Sequence, residues 1–172
     1  MVATRDLLST SSGNTTTTIT TTTTPTTTVT STVSPTTSTG LTLTAPNDSG
    51  STLTGGAGAD TLIASHGADT LTGSAGADTF RFGVLPWAAG HITDFTPGTD
   101  VLDLRPLFKT YGYMGSNPTS DGWLSFNSDG HGGTDVYFKP HDGSNNGYPF
   151  LITDLDHVAP TSLNPSHDLL FH

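Results

Sequence analysis

A period of nine residues runs through the chain from position 55. It reads Gly55-Gly-Ala-Gly-Ala-Asp60-Thr-Leu-Ile63, then Ala64-Ser-His-Gly-Ala-Asp69-Thr-Leu-Thr72, then Gly73-Ser-Ala-Gly-Ala-Asp78-Thr-Phe-Arg81. The fourth position is always glycine (Gly58, Gly67, Gly76), the sixth always aspartate (Asp60, Asp69, Asp78), and the eighth a large apolar residue (Leu62, Leu71, Phe80). Six residues of each unit suit a turn, because glycine permits backbone angles closed to other residues and leaves carbonyl oxygens bare. The remaining three suit a minimal strand with one apolar side chain pointing inward. A preceding unit over 46–54 keeps Leu53 at the eighth position but has Ser51 where aspartate belongs.

Carbonyls and carboxylates are hard oxygen donors, and two facing turns can offer the 6–8 oxygens that Ca²⁺ takes. Mg²⁺ fits less well, because it demands a tighter octahedron and keeps its waters. Stacked carboxylates without a counter-ion repel, and no basic residue occurs within the repeats before Arg81. The competing reading is a Gly-rich turn that carries Asp only for local turn hydrogen bonds.

The nonapeptide resembles the hemolysin-type (RTX) calcium-binding repeat, a parallel β-roll that binds Ca²⁺. In that family each nonapeptide is half a coil, so turns on one side of the roll are two repeats apart. The resemblance therefore implies that loop 55–60 stacks on loop 73–78, with Asp60 and Asp78 closing one good site between them. Gly55, Ala57, Gly58, Gly73, Ala75 and Gly76 are the accompanying loop positions. Loop 64–69, with Gly67 and Asp69, faces the degenerate loop 46–51. It implies a weaker site, since Ala64 and Ser65 replace both leading glycines.

The residues that follow, Ile92-Thr-Asp94-Phe95-Thr-Pro-Gly98-Thr-Asp100-Val-Leu102-Asp103-Leu104, read as two short strands about a Pro-Gly turn. They resemble the element that follows the repeats in type I secretion C-terminal target domains. That likeness makes Asp94, Asp100 and Asp103 candidates to cap the last calcium, alongside ordinary turn and strand-end roles. Further on, alternation over 123–127 and 135–138 about Asp-Gly and Gly-Gly predicts a β-hairpin. Asp129 and Asp135 then belong to its turn, and another strand is expected over 148–153. The terminal Asp168-Leu169-Leu170-Phe171 is similar to the uncleaved signal read by type I ABC transporters; a buried final strand is the alternative.

Composition limits the rest. There is no Glu, Gln or Cys, whereas Gly numbers 20 and Pro 11, so a helical protein, a disulfide framework and a thiolate metal site are all disfavoured. The net charge of −10 argues against nucleic acid and anionic membranes. No run is long enough to span a bilayer, and the first residues lack the apolar stretch of a secretory signal peptide. Threonine fills 17 of the 25 positions from 15 to 39, and such a tract buries too little to offset its ordering entropy.

Seven scattered histidines without H-E-x-x-H, and the absence of G-x-S-x-G, G-x-G-x-x-G and a Walker lysine, disfavour catalysis. Trp87, Tyr111, Tyr113, Trp123, Tyr137 and Tyr148 lie outside the repeats and suit either a core or a sugar-gripping surface.

The expectation is an all-β monomer with three parts. These are a disordered Thr-rich linker over 1–45, a calcium-binding β-roll over 46–82, and a β-rich C-terminal target region over 83–172. As the resemblance implies, it is the non-catalytic end of a type I secreted, extracellular bacterial protein that folds on Ca²⁺ after export. The alternative is a calcium-dependent carbohydrate-binding module of a secreted enzyme or adhesin.

Overall fold

The computed structural model describes residues 19–23, 27–31, 39–46 and 49–172. Along the chain come strands β1 (Ile19–Thr23), β2 (Thr27–Ser31), β3 (Thr42–Thr44), β4 (Ser51–Thr54), β5 (Thr61–Ala64), β6 (Thr70–Thr72) and β7 (Thr79–Phe82). They are followed by β8 (Gly90–Ile92), β9 (Val101–Asp103), helix α1 (Arg105–Thr110), β10 (Leu124–Ser128), β11 (Thr134–Phe138), β12 (Phe150–Leu155) and β13 (Leu169–Leu170).

The strands alternate between two sheets, as a nine-residue half-coil requires. One sheet has the order β13-β9-β7-β5-β3, the other β1-β2-β4-β6-β8-β12-β11-β10. From β2 through β12 in one sheet, and throughout the other, neighbouring strands are parallel. The eighth position of each repeat sets the register: Leu43, Leu62, Phe80, Leu102 and Leu169 lie side by side, and Leu53, Leu71, Ile92 and Leu155 form the facing row. Both rows are buried and meet in one core. A strand of three or four residues has one inward side chain to spend, so stacking identical positions is how so small a unit excludes water.

Two of the expected boundaries move. The β-roll does not stop at residue 82, because β8 and β9 extend both sheets and β12 and β13 add a further coil from the distant C-terminal region. Nor does the ordered part begin at 46. Leu41, Leu43 and Ala45 are core residues, and β1 and β2 form an antiparallel pair whose second strand joins β4. Threonine's preference for extended backbone suffices for strand addition at an open sheet edge. Residues 1–18, 24–26 and 32–38 of the expected linker lie outside the described residues.

The expected hairpin forms between β10 and β11, with β12 its antiparallel neighbour. Helix α1, with Pro106 in its first turn, drops Leu107 and Phe108 into the same core. Phe108 stands there against Tyr113, Phe138 and Phe171, with ring centroids 4.9, 5.2 and 6.1 Å away. Tyr113 is buried, and Tyr111 and Trp123 pack partly buried against this core, whereas Trp87 and Tyr148 are exposed.

Candidate metal centre

The turns stack along two edges of the solenoid. On one edge lie loops 55–60, 73–78 and 94–100; on the other, loop 64–69, with Ser51 before it in the stack. Loop 55–60 sits directly on loop 73–78: the Gly55 and Gly58 amides donate to the carbonyls of Thr72 and Ala75 at 2.8 and 2.7 Å. Ala57 and Ala75 bridge in parallel. Gly58 and Gly76 take positive φ of 141° and 152°, and a Cβ on Gly76 would collide with the Gly58 carbonyl, so this approach needs glycine.

The aspartates obey one rule. Each carboxylate accepts an amide of the preceding coil, and each but Asp78 also accepts the amide four residues before it, the Ser74 amide going to Asp94 instead. Asp60 takes Gly56 and Leu41, both at 2.6 Å. Asp69 takes Ser65 at 2.6 Å and Ser51 at 2.7 Å. Asp100 takes Thr96 at 2.8 Å and Asp78 at 2.9 Å. Asp78 accepts the Asp60 amide at 2.8 Å. A member of this column that the repeat pattern misses is Asp168, which takes Asn164 and Gly98, both at 2.8 Å. Its signal in the sequence is an aspartate immediately before a short apolar strand, the sixth-position rule without the glycines. Among the described residues, the opposite edge has only Asp69: Ser51 precedes it in the stack and Gly90 follows it.

Of the three capping candidates, Asp100 stacks on Asp78. Asp94 receives the Gly73 and Ser74 amides at 2.9 and 2.7 Å and so closes the end of loop 73–78. Asp103 stands apart from the other two. It lies in strand β9 rather than in a turn, and Arg81 Nε and Arg105 Nε meet it at 2.7 and 2.8 Å. Burial alone would raise its pKa, but the hydrogen bonds from Arg105 and Arg81 hold it below the ordinary value. Its charge is matched by two guanidinium groups, unlike the charges of the loop carboxylates. Asp129 serves its hairpin turn, accepting the amides of His131 and Gly133 at 2.6 and 2.8 Å.

The donor set of the 55–78 edge fits Ca²⁺. Around Gly55 the Gly73 carbonyl and Asp60 Oδ2 converge so closely that a Cβ there would strike both, and Gly73 stands in the same relation to Asp78 Oδ2. Every one of these atoms is a hard oxygen, and an oxygen that accepts one amide retains a second lone pair. Charge points the same way. Burial, followed by the charges of Asp100, Asp60 and Asp94, pushes Asp78 up to about 6 against the pull of the Asp60 amide. Asp100 is raised too, chiefly by burial. A divalent cation relieves that repulsion and favours both carboxylates in their charged form.

Comparison with known proteins agrees with this geometry. Residues 47–80 match the family model of the RTX calcium-binding nonapeptide repeat, in 4 copies. Among solved structures, the chain is similar to the AlgE6R3 subunit of the Azotobacter vinelandii mannuronan C5-epimerase. That likeness has 29% identity and a TM-score of 0.51, over 70% of this chain and 67% of that one. No curated protein matches the chain. The stacked glycine loops, the buried carboxylate column and these two likenesses converge: residues 47–80 are RTX calcium-binding nonapeptide repeats, and the solenoid they build is a calcium-binding β-roll.

Proposed function

We propose that this chain is a non-catalytic, calcium-folded region of a type I secreted bacterial protein, and that calcium controls whether it is folded. The observation that carries the reading is the carboxylate column. Asp60, Asp78, Asp100 and Asp168 are all buried, and the first three stand on successive coils along one edge. Without a cation the chain bears that repulsion together with the ordering cost of its glycine loops, so the ion-free chain is poorly folded. At low calcium it stays extended enough for a transporter to thread. Outside the cell the loop oxygens gather Ca²⁺, the coils close, and the folded roll opposes return.

The C-terminal residues suit this order of events. Asp168 and Leu169 are buried in the fold, and β13 pairs with β9. An ABC transporter that reads 168–171 therefore meets them before folding, not after. The test is far-UV circular dichroism of the chain in EGTA, titrated with Ca²⁺ beside a Mg²⁺ control. A coil-to-β transition with calcium alone is expected. A spectrum already β in EGTA and indifferent to calcium would overturn the switch.

A second reading, a calcium-dependent carbohydrate-binding module, draws on one surface feature. Trp87 is 73% exposed and stacks on His66 with ring centroids 4.9 Å apart, a flat platform of the kind that holds a sugar ring. The solved relative is a subunit of an enzyme acting on mannuronan, an acidic glycan. With a net charge of −10, this chain would hold such a polymer only through bridging calcium. Trp87→Ala should then abolish retention on a mannuronan column in Ca²⁺ while the dichroism titration stays unchanged.

A further inference from the structure

The histidines that look scattered in the sequence do not all stay apart. Strand β8 pairs in parallel with β12, and the register sets His91 directly beside Asp154. Asp156 follows on the same side of the strand. His91 Nδ1 lies 3.5 Å from Asp154 Oδ2 and 3.4 Å from Asp156 Oδ1, and the three ligand atoms all fall within 4.8 Å of one another. Two ligands each about 2.0–2.2 Å from a tetrahedral Zn²⁺ stand roughly 3.3–3.6 Å apart. The two distances from His91 fall in that range.

Three further observations point to an ion rather than to a plain ion pair. Asp154 Oδ1 is closed off from solvent and has no hydrogen-bond partner in the protein, a costly state for a carboxylate oxygen. Asp135 sits directly opposite Asp154 on β11, so two like charges face each other across the strands. Asp154, Asp156 and Asp129 also line one cavity of about 310 Å³ with His131 and His157, which places two more imidazoles beside the carboxylates.

We propose that His91, Asp154 and Asp156 form a second metal site, separate from the glycine loops, for a divalent transition ion of the Zn²⁺ class. Imidazole nitrogen separates it from the loops: Ca²⁺ takes oxygen ligands, whereas imidazole suits zinc and its neighbours. The location gives the site its use. β8 belongs to the repeat-derived coils and β12 joins the C-terminal hairpin to the same sheet, so an ion held by both would pin the C-terminal region to the roll.

The experiment is a Zn²⁺ titration by calorimetry of the full chain in saturating Ca²⁺, with thermal melts beside it. One zinc per chain and a raised melting temperature are expected. His91→Gln and, separately, Asp154→Asn should each weaken binding at least tenfold and remove the thermal shift. His91 is more than half exposed, so its replacement leaves the fold intact. His167→Gln, a surface histidine on the other sheet's side, should change neither reading. Absence of zinc binding, binding that survives His91→Gln, or zinc that merely displaces the bound Ca²⁺ would each overturn the site. Because calcium is saturating throughout, a failure here leaves the calcium switch standing, and a failed dichroism titration leaves this site to be judged by zinc alone.

Discussion

Asp78 is where the chemistry of a single residue becomes measurable. In the ion-free fold its pKa is about 6, against an ordinary 3.8. Between those values the folded chain binds more protons than the unfolded one, so the free energy of unfolding falls as pH rises. Calcium must displace that proton, so the Ca²⁺ concentration at the midpoint of folding should rise as pH falls from about 7 to about 5. Asp78→Asn should flatten that dependence, which calcium titrations followed by far-UV circular dichroism at each pH would read. A midpoint that falls as pH is lowered across the same window would contradict the direction assigned to Asp78. Glycine supplies a second test. Gly76→Ala places a Cβ against the Gly58 carbonyl at φ +152°, whereas Gly98→Ala, at φ +80°, meets nothing within 4 Å. The first should cost more than the second, which bears only the backbone strain of about 1–3 kcal/mol. Denaturant melts in Ca²⁺ give both values, and equal losses would show that the loops can part without penalty.

Among the elements, the strands divide by how far apart their partners lie. The hairpin β10–β11 is readable because both strands and their Gly-rich turn are adjacent, and alternation states which face is buried. The stacking of loop 55–60 on loop 73–78 follows from the period once a half-coil is assumed. The pairing of β8 with β12 and of β9 with β13 has no such local signal, since each partner is more than 60 residues away. Helix α1 also escapes the pattern. Its six residues are too few to display an apolar period, and it is held by the packing of Phe108 rather than by propensity. Phe108→Ala should accordingly destabilise the protein by about 3–5 kcal/mol. Urea melts in Ca²⁺ test this, and a loss below about 1 kcal/mol would mean that the aromatic cluster is loosely packed.

For the molecule as a whole, the two leucine-rich rows run from the first coil to the last. Leu43 and Leu169 bound one row and Leu155 ends the other, so residues before 46 and after 82 share one core with the repeats. Calcium-loaded protein should then unfold in a single calorimetric transition, with equal calorimetric and van't Hoff enthalpies. Two separated transitions would mean that the roll and the C-terminal sheet fold independently. No helix among the described residues is long and apolar enough to cross a membrane.

The sequence alone determined the repeat, the residue facing inward in each strand, the oxygen chemistry of the loops and hence the ion. All of these are local: they depend on residue type and on a spacing of nine. Tertiary structure decided which carboxylates share an edge. It took Asp103 away from the loops by offering it two arginines, brought Asp168 into the column from the far end of the chain, and set His91 beside Asp154. The reason is that a short strand's partner is chosen by where the core still needs covering, and that choice is made by the folded whole.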